Sequence, residues 1–463
     1  MKRADSTVSM TDGSLWKNIL VFSLPLMATN VLQVLFNMSD VAVVGRFAGP
    51  EALGSVGSTS ILVSLFTGFP IGMGAGVNVV IARFLGMRDE RRAGEGVRTA
   101  FWLCLAEGLL LALVLFFTAA PFLTLLGTKD VLMAGALRYL RIYAFGLPAM
   151  ALYNGGAAVL SAKGDTRRPL LFLTGAGILN ILMNLAFVIL AEMAEAGVAL
   201  ASVLSQYTAA LLVLLCLLRE KGPVRLSFAG PGRAVNGRIA RMILSIGLPS
   251  ALQYSIFAVA NLFIQSAVNS FDALVVEGNS AAQNADGFAY DIMAAVYTAC
   301  SAFMSCNLGA RKAERVIRSY LVCLVYSFLA GALIGGLLLL FGPQFLSLFT
   351  TEADVIAAGT VRLRIMSMSY AFSAFMDCTI AASRGIDKPF VPTLIVIGGS
   401  CLFRILWIYT VFAHFRTIGS LYSLYIVSWT LTAAAEMLYF RHAWKSVRAR
   451  LGQPVQQRKM RHS

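Results

Sequence analysis

The sequence predicts an all-α integral membrane protein: twelve transmembrane helices in two pseudo-symmetric six-helix bundles. Composition, the length of the apolar runs and an internal duplication predict it. Of 463 residues, 58% are hydrophobic and 13% charged, with a mean hydropathy of +0.75. A soluble domain carries about 25% charged and about 45–50% apolar residues, so both figures depart toward lipid. At about 20 residues per crossing, the chain has room for a dozen spans joined by short loops.

Charge and Gly/Pro breaks divide the apolar runs into spans near 18–45, 52–82, 99–121, 136–160, 170–190 and 197–218, then 242–270, 280–306, 319–342, 357–382, 390–412 and 419–440. Backbone groups in lipid must be satisfied within the segment, so each run reads as a helix. Residues 1–17 are polar, and the run from Ile19 is too long for a signal h-region, so the first span is expected to remain in the mature chain.

Lys and Arg then set the orientation. With a cytoplasmic N-terminus, inner segments hold 30 and outer segments with their flanks hold 7, with Arg404 inside a span. The expected plan is a cytoplasmic segment 1–17, an N-lobe 18–218, a cytoplasmic linker 219–241, a C-lobe 242–440 and a basic tail 441–463. Both termini face the cytoplasm, and the location is the plasma (inner) membrane. The net charge of +15 is therefore a topology signal rather than a nucleic-acid footprint.

The linker carries Pro223 and Gly230-Pro231-Gly232, and after it the sequence begins again. Leu24-Pro25 returns as Leu248-Pro249, Asn37 as Asn261, Leu85-Gly86 as Leu308-Gly309, Asp130-Val131 as Asp354-Val355, and Arg138 as Arg362. Lys163-Gly164-Asp165 with Pro169 matches Arg384-Gly385 and Asp387-Lys388-Pro389, which sets Asn184 on Arg404. Six spans per unit give both units the same orientation, with an axis along the membrane normal and a substrate cavity expected between them.

Ionisable and amide residues inside lipid-length helices are the candidate functional groups, because an Asp at mid-bilayer costs about 2.5–3.5 kcal/mol and must face protein or water. Asn30, Gln33, Asn37 and Asp40 share one face of the first span, and Asn180 and Asn184 lie one turn apart on the fifth. Asp40, Asn37, Asn180 and Asn184 are the expected cation-coupling group. Asp40 falls on Ile264 in the second half, so the acid is not duplicated although the amide Asn37 is. Gln33, Asn261, Gln265, Gln283, Asp286 and Arg404 are candidates for lining the substrate cavity, with Arg404 either a gate or a buried structural pair. Glu107 and Glu436, near span ends, are expected to snorkel to the surface.

Seven cysteines sit in apolar runs without a CxxC pair, and His414, His442 and His462 do not cluster, so neither a disulfide framework nor a metal or catalytic centre is expected. No enzymatic activity and no resident cofactor are expected.

Leu24-Pro25, Asp40 with Gly45-Arg46, Leu85-Gly86, Gly164-Asp165 with Pro169, Gly278-Asn279-Ser280-Ala281-Ala282-Gln283-Asn284, Asn307-Leu308-Gly309-Ala310 and Ser428-Trp429 together resemble the multidrug and toxic compound extrusion (MATE) family over about 18–440. The resemblance implies an antiporter that exports lipophilic, often cationic compounds by alternating access, in exchange for protons or sodium. It also implies a first-span Asp with fifth-span partners as the coupling site. Many members carry an acid where this chain has Asn184, so a proton is favoured over sodium at Asp40, Asn180 and Asn184. The partners expected are the bilayer and small-molecule drugs or organic cations, with no nucleic acid and a monomer as the working unit. A lipid-linked oligosaccharide flippase of the same superfamily is the alternative.

Overall fold

The computed structural model describes residues 7–228 and 235–451. Gly230, Pro231 and Gly232 of the expected linker, and His462 with the end of the basic tail, lie outside them. Among the described residues there is no strand, and ten helices are long and apolar enough to cross a membrane. The first of these runs 72 residues from Leu15 to Gly86, about 108 Å at the helical rise and more than three times the hydrocarbon thickness. It breaks at Gly49, whose φ of 88° and ψ of 174° leave the helical region, and so makes two crossings: α1 (Leu15–Val43) and α2 (Gly49–Gly86).

α3 (Glu90–Leu125) comes next. The fourth crossing, expected as one run, is split into α4 (Asp130–Ala144) and α5 (Leu147–Ala162). Pro148 has no N–H to continue the ladder, and Phe145 and Gly146 close a tight turn onto Ile142 and Tyr143 instead. α6 (Arg167–Leu185) and α7 (Ala194–Arg219) complete the first half. The second half is α8 (Gly237–Val268), α9 (Ala273–Gly309), α10 (Ala313–Leu346) and α11 (Ala353–Gly385). An eleventh crossing is interrupted by two one-turn π-helices, as α12 (Phe390–Val396), α13 (Phe403–Trp407) and α14 (Ala413–Phe415). α15 (Ile418–Leu451) closes the fold. Split crossings included, twelve spans result.

The chain forms two compact units. One holds Val21–Leu85 and Asp89–Ala258 with the described part of the N-terminal stretch to Val8; the other holds Ser9–Leu20, Gly86–Arg88 and everything from Val259. In the first unit, Val44, Leu115, Leu123, Leu140, Leu147 and Val198 are fully buried in one core. Gly72 and Gly76 of α2 pack closely against α8: a Cβ would lie 2.4 Å from Ala251 N and 2.5 Å from Ile243 O. In the second unit, the stretch before α1 is tied down by Asn307, whose Nδ2 donates to Met10 O (3.0 Å), and by Lys312, which donates to Thr11 O and pairs with Asp12 (both 2.8 Å).

The duplication is visible in the turns. Arg88 and Arg311 both take positive φ (56° and 59°), and each is followed by the same capping bond, Asp89 N to Phe84 O (3.0 Å) and Lys312 N to Asn307 O (2.9 Å). Gly164 (φ 95°) and Asp387 (φ 59°) form a second such pair, with Asp165 N to Leu160 O (3.0 Å) and Lys388 N to Ser383 O (2.9 Å). This register sets Pro169 on Pro392, not on Pro389. The expected match of Asn184 to Arg404 rested on Pro389 and is corrected: in the register of the turns Asn184 falls beyond Arg404, past the π turn at Ile397–Leu402. Two prolines three residues apart offered two alignments, and only the backbone of the turn chooses between them.

At the Gly164 turn, Val8 N donates to Gly164 O (3.0 Å), and a Cβ on Gly164 would lie 2.3 Å from Val8 O. Beside it, Lys163 Nζ and Arg168 Nη1 each reach a different oxygen of Glu220 at 2.5 Å. Partial burial pushes the Glu220 carboxyl up, but these two hydrogen bonds and their charges prevail and hold it below the usual glutamate range.

Candidate functional site

In the first unit, α1, α6 and α7 converge on Asp40. Asn184 Nδ2 donates to Asp40 Oδ1 (2.5 Å) and to Asn180 Oδ1 (3.2 Å), and Ser202 Oγ donates to Asp40 Oδ2 (3.0 Å). Asn180 Nδ2 reaches Ser202 Oγ at 3.5 Å and closes the ring. Asn184 is fully buried, Asn180 and Ser202 nearly so, and Asp40 is half-buried. Asn184 Oδ1 is buried and has no hydrogen-bond partner among the described residues.

Local structure sets this geometry. Asn180 and Asn184 stand one turn apart, so both amides point the same way. One turn before Asp40, the Phe36 ring lies against α6 where Gly177 leaves room: a Cβ there would sit 1.9 Å from Phe36 Cε2. Both carboxyl-bearing and amide-bearing helices then change pitch, α1 into a π turn at Val44–Ala48 and α6 into one at Ala186–Leu190. Single π turns inside α-helices occur frequently at functional sites.

Of the expected coupling residues, Asp40, Asn180 and Asn184 meet, whereas Asn37 lies exposed; neither it nor the exposed cavity candidate Gln33 makes a hydrogen bond to this ring among the described residues. Ser202 is the member that sequence reasoning missed. Serines in apolar helices commonly bond their own backbone, as Ser205 Oγ does to Ser202 O (2.9 Å), so residue type alone did not single Ser202 out.

The second unit gathers the other candidates differently. Arg362 is 3% exposed although its position suggested an outer flank, and it donates to Asp286 through Nη2 and to Asn279 O through Nη1 (2.8 Å). Tyr370 OH donates to the other Asp286 oxygen (2.5 Å), and Tyr422 OH to Asn279 Oδ1 (2.5 Å). Arg404, 2% exposed, lies over the Tyr425 ring (4.6 Å) and near the Trp429 ring (5.7 Å), and its Nη1 reaches Asn261 Oδ1 at 3.4 Å. Gln283 Nε2 donates to Gln265 Oε1 (3.1 Å), and Gln265 Nε2 to Asn269 (2.9 Å). Both Asp286 oxygens are thus engaged, and Arg404 is enclosed by aromatic faces.

One expectation is corrected. Glu436 is 0% exposed and does not snorkel to the surface, whereas Glu107 is half-buried with one carboxyl oxygen buried. The nearness of Glu436 to a span end was misleading because α15 continues well past the length read from hydropathy.

Comparison with known proteins gives this geometry its setting. A family model described as MatE matches residues 25–186 and again 249–410, starting on Pro25 and Pro249, the prolines that open the two halves. The probable multidrug resistance protein YpnP of Bacillus subtilis (strain 168) is 27% identical over 362 residues, 78% of this chain and 80% of that protein. A protein of Shewanella oneidensis named FAD transporter is 24% identical over 76% of this chain and 78% of its own length. A crystal structure of MATE in the bent conformation shares the fold with a TM-score of 0.87 at 22% identity, covering 98% of this chain and 100% of that one. With the family model matched twice in tandem, and the fold shared from end to end, this multi-pass membrane protein belongs to the MatE family of transporters.

Proposed function

We propose that the chain is a proton-coupled efflux antiporter for lipophilic, often cationic compounds, with Asp40 as the proton carrier. The observation that supports this best is the company Asp40 keeps. Its carboxyl is held by Asn184 and Ser202, both neutral, and no Lys or Arg pairs with it among the described residues. A carboxylate drawn out of water without a counter-charge gains by taking up a cation. One negative charge shared among three neutral side chains is a weak cage for sodium and a sufficient one for a proton.

The unpartnered Asn184 Oδ1 supplies a way to register the event. While Asp40 is ionised, the Asn184 amide donates to it; once Asp40 carries a proton, the amide turns and Oδ1 accepts. Each protonation state then favours a different hydrogen-bond pattern between α1 and α6, beside two π turns at which those helices bend. Proton and drug bind different members of one population of states, and the difference in their affinities couples them across the membrane. Both termini are cytoplasmic in this reading, and the coupling ion is the one non-protein component required.

The names of relatives support multidrug export, and the FAD transporter among them marks how far substrates diverge within the family. A lipid-linked oligosaccharide flippase would need open basic groups for a pyrophosphate, whereas Arg362 is paired with Asp286 and Arg404 is enclosed. The test is purified protein in liposomes with a fluorescent organic cation and either a pH or a sodium gradient imposed separately. Transport driven by the pH gradient and lost in Asp40→Asn is expected. Transport that follows sodium alone, or persists in Asp40→Asn, overturns the assignment.

A further inference from the structure

α15 presents one buried face made of Tyr425, Ser428, Thr432, Glu436 and Phe440, all under 9% exposed. Their spacing of three and then four residues places them on one line down the helix. The hydroxyls on this line are satisfied: Ser428 Oγ bonds Tyr425 O (3.2 Å), while Thr432 Oγ1 bonds Ser428 O (2.7 Å) and meets Ser400 Oγ (3.1 Å). Glu436 is not. It is 0% exposed, and neither Oε1 nor Oε2 has a hydrogen-bond partner among the described residues.

A bare carboxylate in that position costs several kcal/mol, because no charge or donor replaces the lost water. The neutral acid costs far less. A metal cation is a poor alternative occupant, because it needs several oxygen ligands and, among the described residues, no hydrogen-bonding group reaches this carboxyl. The charged and titratable groups around it are Arg384 and Asp377 on α11, Tyr320 on α10, and Tyr439 on α15 itself. Tyr320 is occupied with Thr379 (2.8 Å) and packs its ring, tilted, against that of Phe440 (centroids 4.8 Å apart). Arg384 is the cation nearest at hand for an ionised Glu436. With the offset of 223 or 224 residues between the halves, Glu436 falls on Val213 or Leu212, both apolar. The acid is therefore not part of the architecture that the two halves share.

We propose that Glu436 is a second proton-binding carboxyl, occupied in this conformation, which pairs with Arg384 when its proton leaves. The second unit then carries a proton of its own, on a group unrelated to Asp40. The inference deepens the proton-coupled reading above but stands on a different residue in a different unit.

Infrared difference spectroscopy on the protein in lipid nanodiscs, titrated with acid and base, tests it. The neutral carboxyl C=O band of Glu436 is expected to vanish in Glu436→Gln, to persist in Asp40→Asn, and to return shifted in Glu436→Asp, which keeps a carboxyl if Gln perturbs folding. The count of protons released per substrate bound is expected to fall in Glu436→Gln. An unchanged set of neutral-acid bands in Glu436→Gln overturns the proposal, as does a band that never titrates over the range in which the protein stays folded. Loss of coupling in Asp40→Asn with the Glu436 band intact speaks only to the first site, so the two readings fail separately.

Discussion

Asn184 donates to Asp40 across 144 positions of sequence, at 2.5 Å, and the same Nδ2 donates to Asn180 at 3.2 Å. One amide nitrogen therefore serves two acceptors while its oxygen serves no donor among the described residues. Ser202 supplies the other contact to the carboxyl. A hydrogen bond to a charged group contributes about 1.5–3 kcal/mol, which is roughly a tenfold change in rate or more if it is lost where coupling occurs. Ser202→Ala is expected to slow pH-driven transport by about that factor while expression and folding are retained, as read by initial rates in liposomes.

Asn184→Asp places a second carboxyl against Asp40. Two such groups share a cation more readily than one, and they repel each other when both are bare. The variant is expected to gain sodium-stimulated transport relative to the parent chain. Rates measured with the sodium gradient alone, at equal pH on both sides, check this.

The contact of Phe36 with Gly177 sets the distance between α1 and α6. A Cβ at residue 177 would overlap the ring, and overpacking of this kind costs typically about 1–3 kcal/mol. Gly177→Ala is expected to lower Tm and to abolish coupled transport by moving Asp40 off Asn184. Adding Phe36→Ala should restore much of the Tm, because the smaller side chain makes room. A double variant no more stable than the single one would refute the steric account.

Arg362 is 4% and Asp286 28% exposed at the side chain, and Tyr370 donates to the same carboxylate. Removing one partner of a buried pair leaves an uncompensated charge, a loss of about 3–5 kcal/mol, whereas replacing both with apolar groups is far milder. Asp286→Asn is therefore expected to destabilise the second unit more than Asp286→Leu combined with Arg362→Met, as measured by thermal unfolding in detergent.

Glu220 joins Lys163 and Arg168 at the end of α7, and its carboxyl is held below the ordinary range. A depressed folded value contributes stability above the unfolded pKa, and that contribution is lost as pH falls through the folded one. The Tm difference between the parent chain and Glu220→Gln should be largest near neutral pH and close in acid, below the usual carboxylate range. A difference independent of pH would show that the contact acts through packing rather than charge.

Span number, the duplicated plan and the candidacy of Asp40, Asn180 and Asn184, three polar side chains that the fold brings together, were legible in the residues themselves. Lipid penalises every unsatisfied polar group, so apolar run length reports a helix and an isolated acid or amide reports a partner, whatever the tertiary arrangement. The rest depended on which helices touch. Ser202 carries no signal until α7 is laid beside α1, and Asn37, on the same stripe as Asp40, is left exposed because the ring closes on α6 and α7. Arg362 looked like an outer-flank charge until Asp286 and Tyr370 closed around it. Glu436 looked like a surface residue because hydropathy ends a span where charge begins, while the helix itself runs on to Leu451 and the face that carries Glu436 is buried. Pattern along a chain records what each residue must avoid; only packing decides which partner it meets instead.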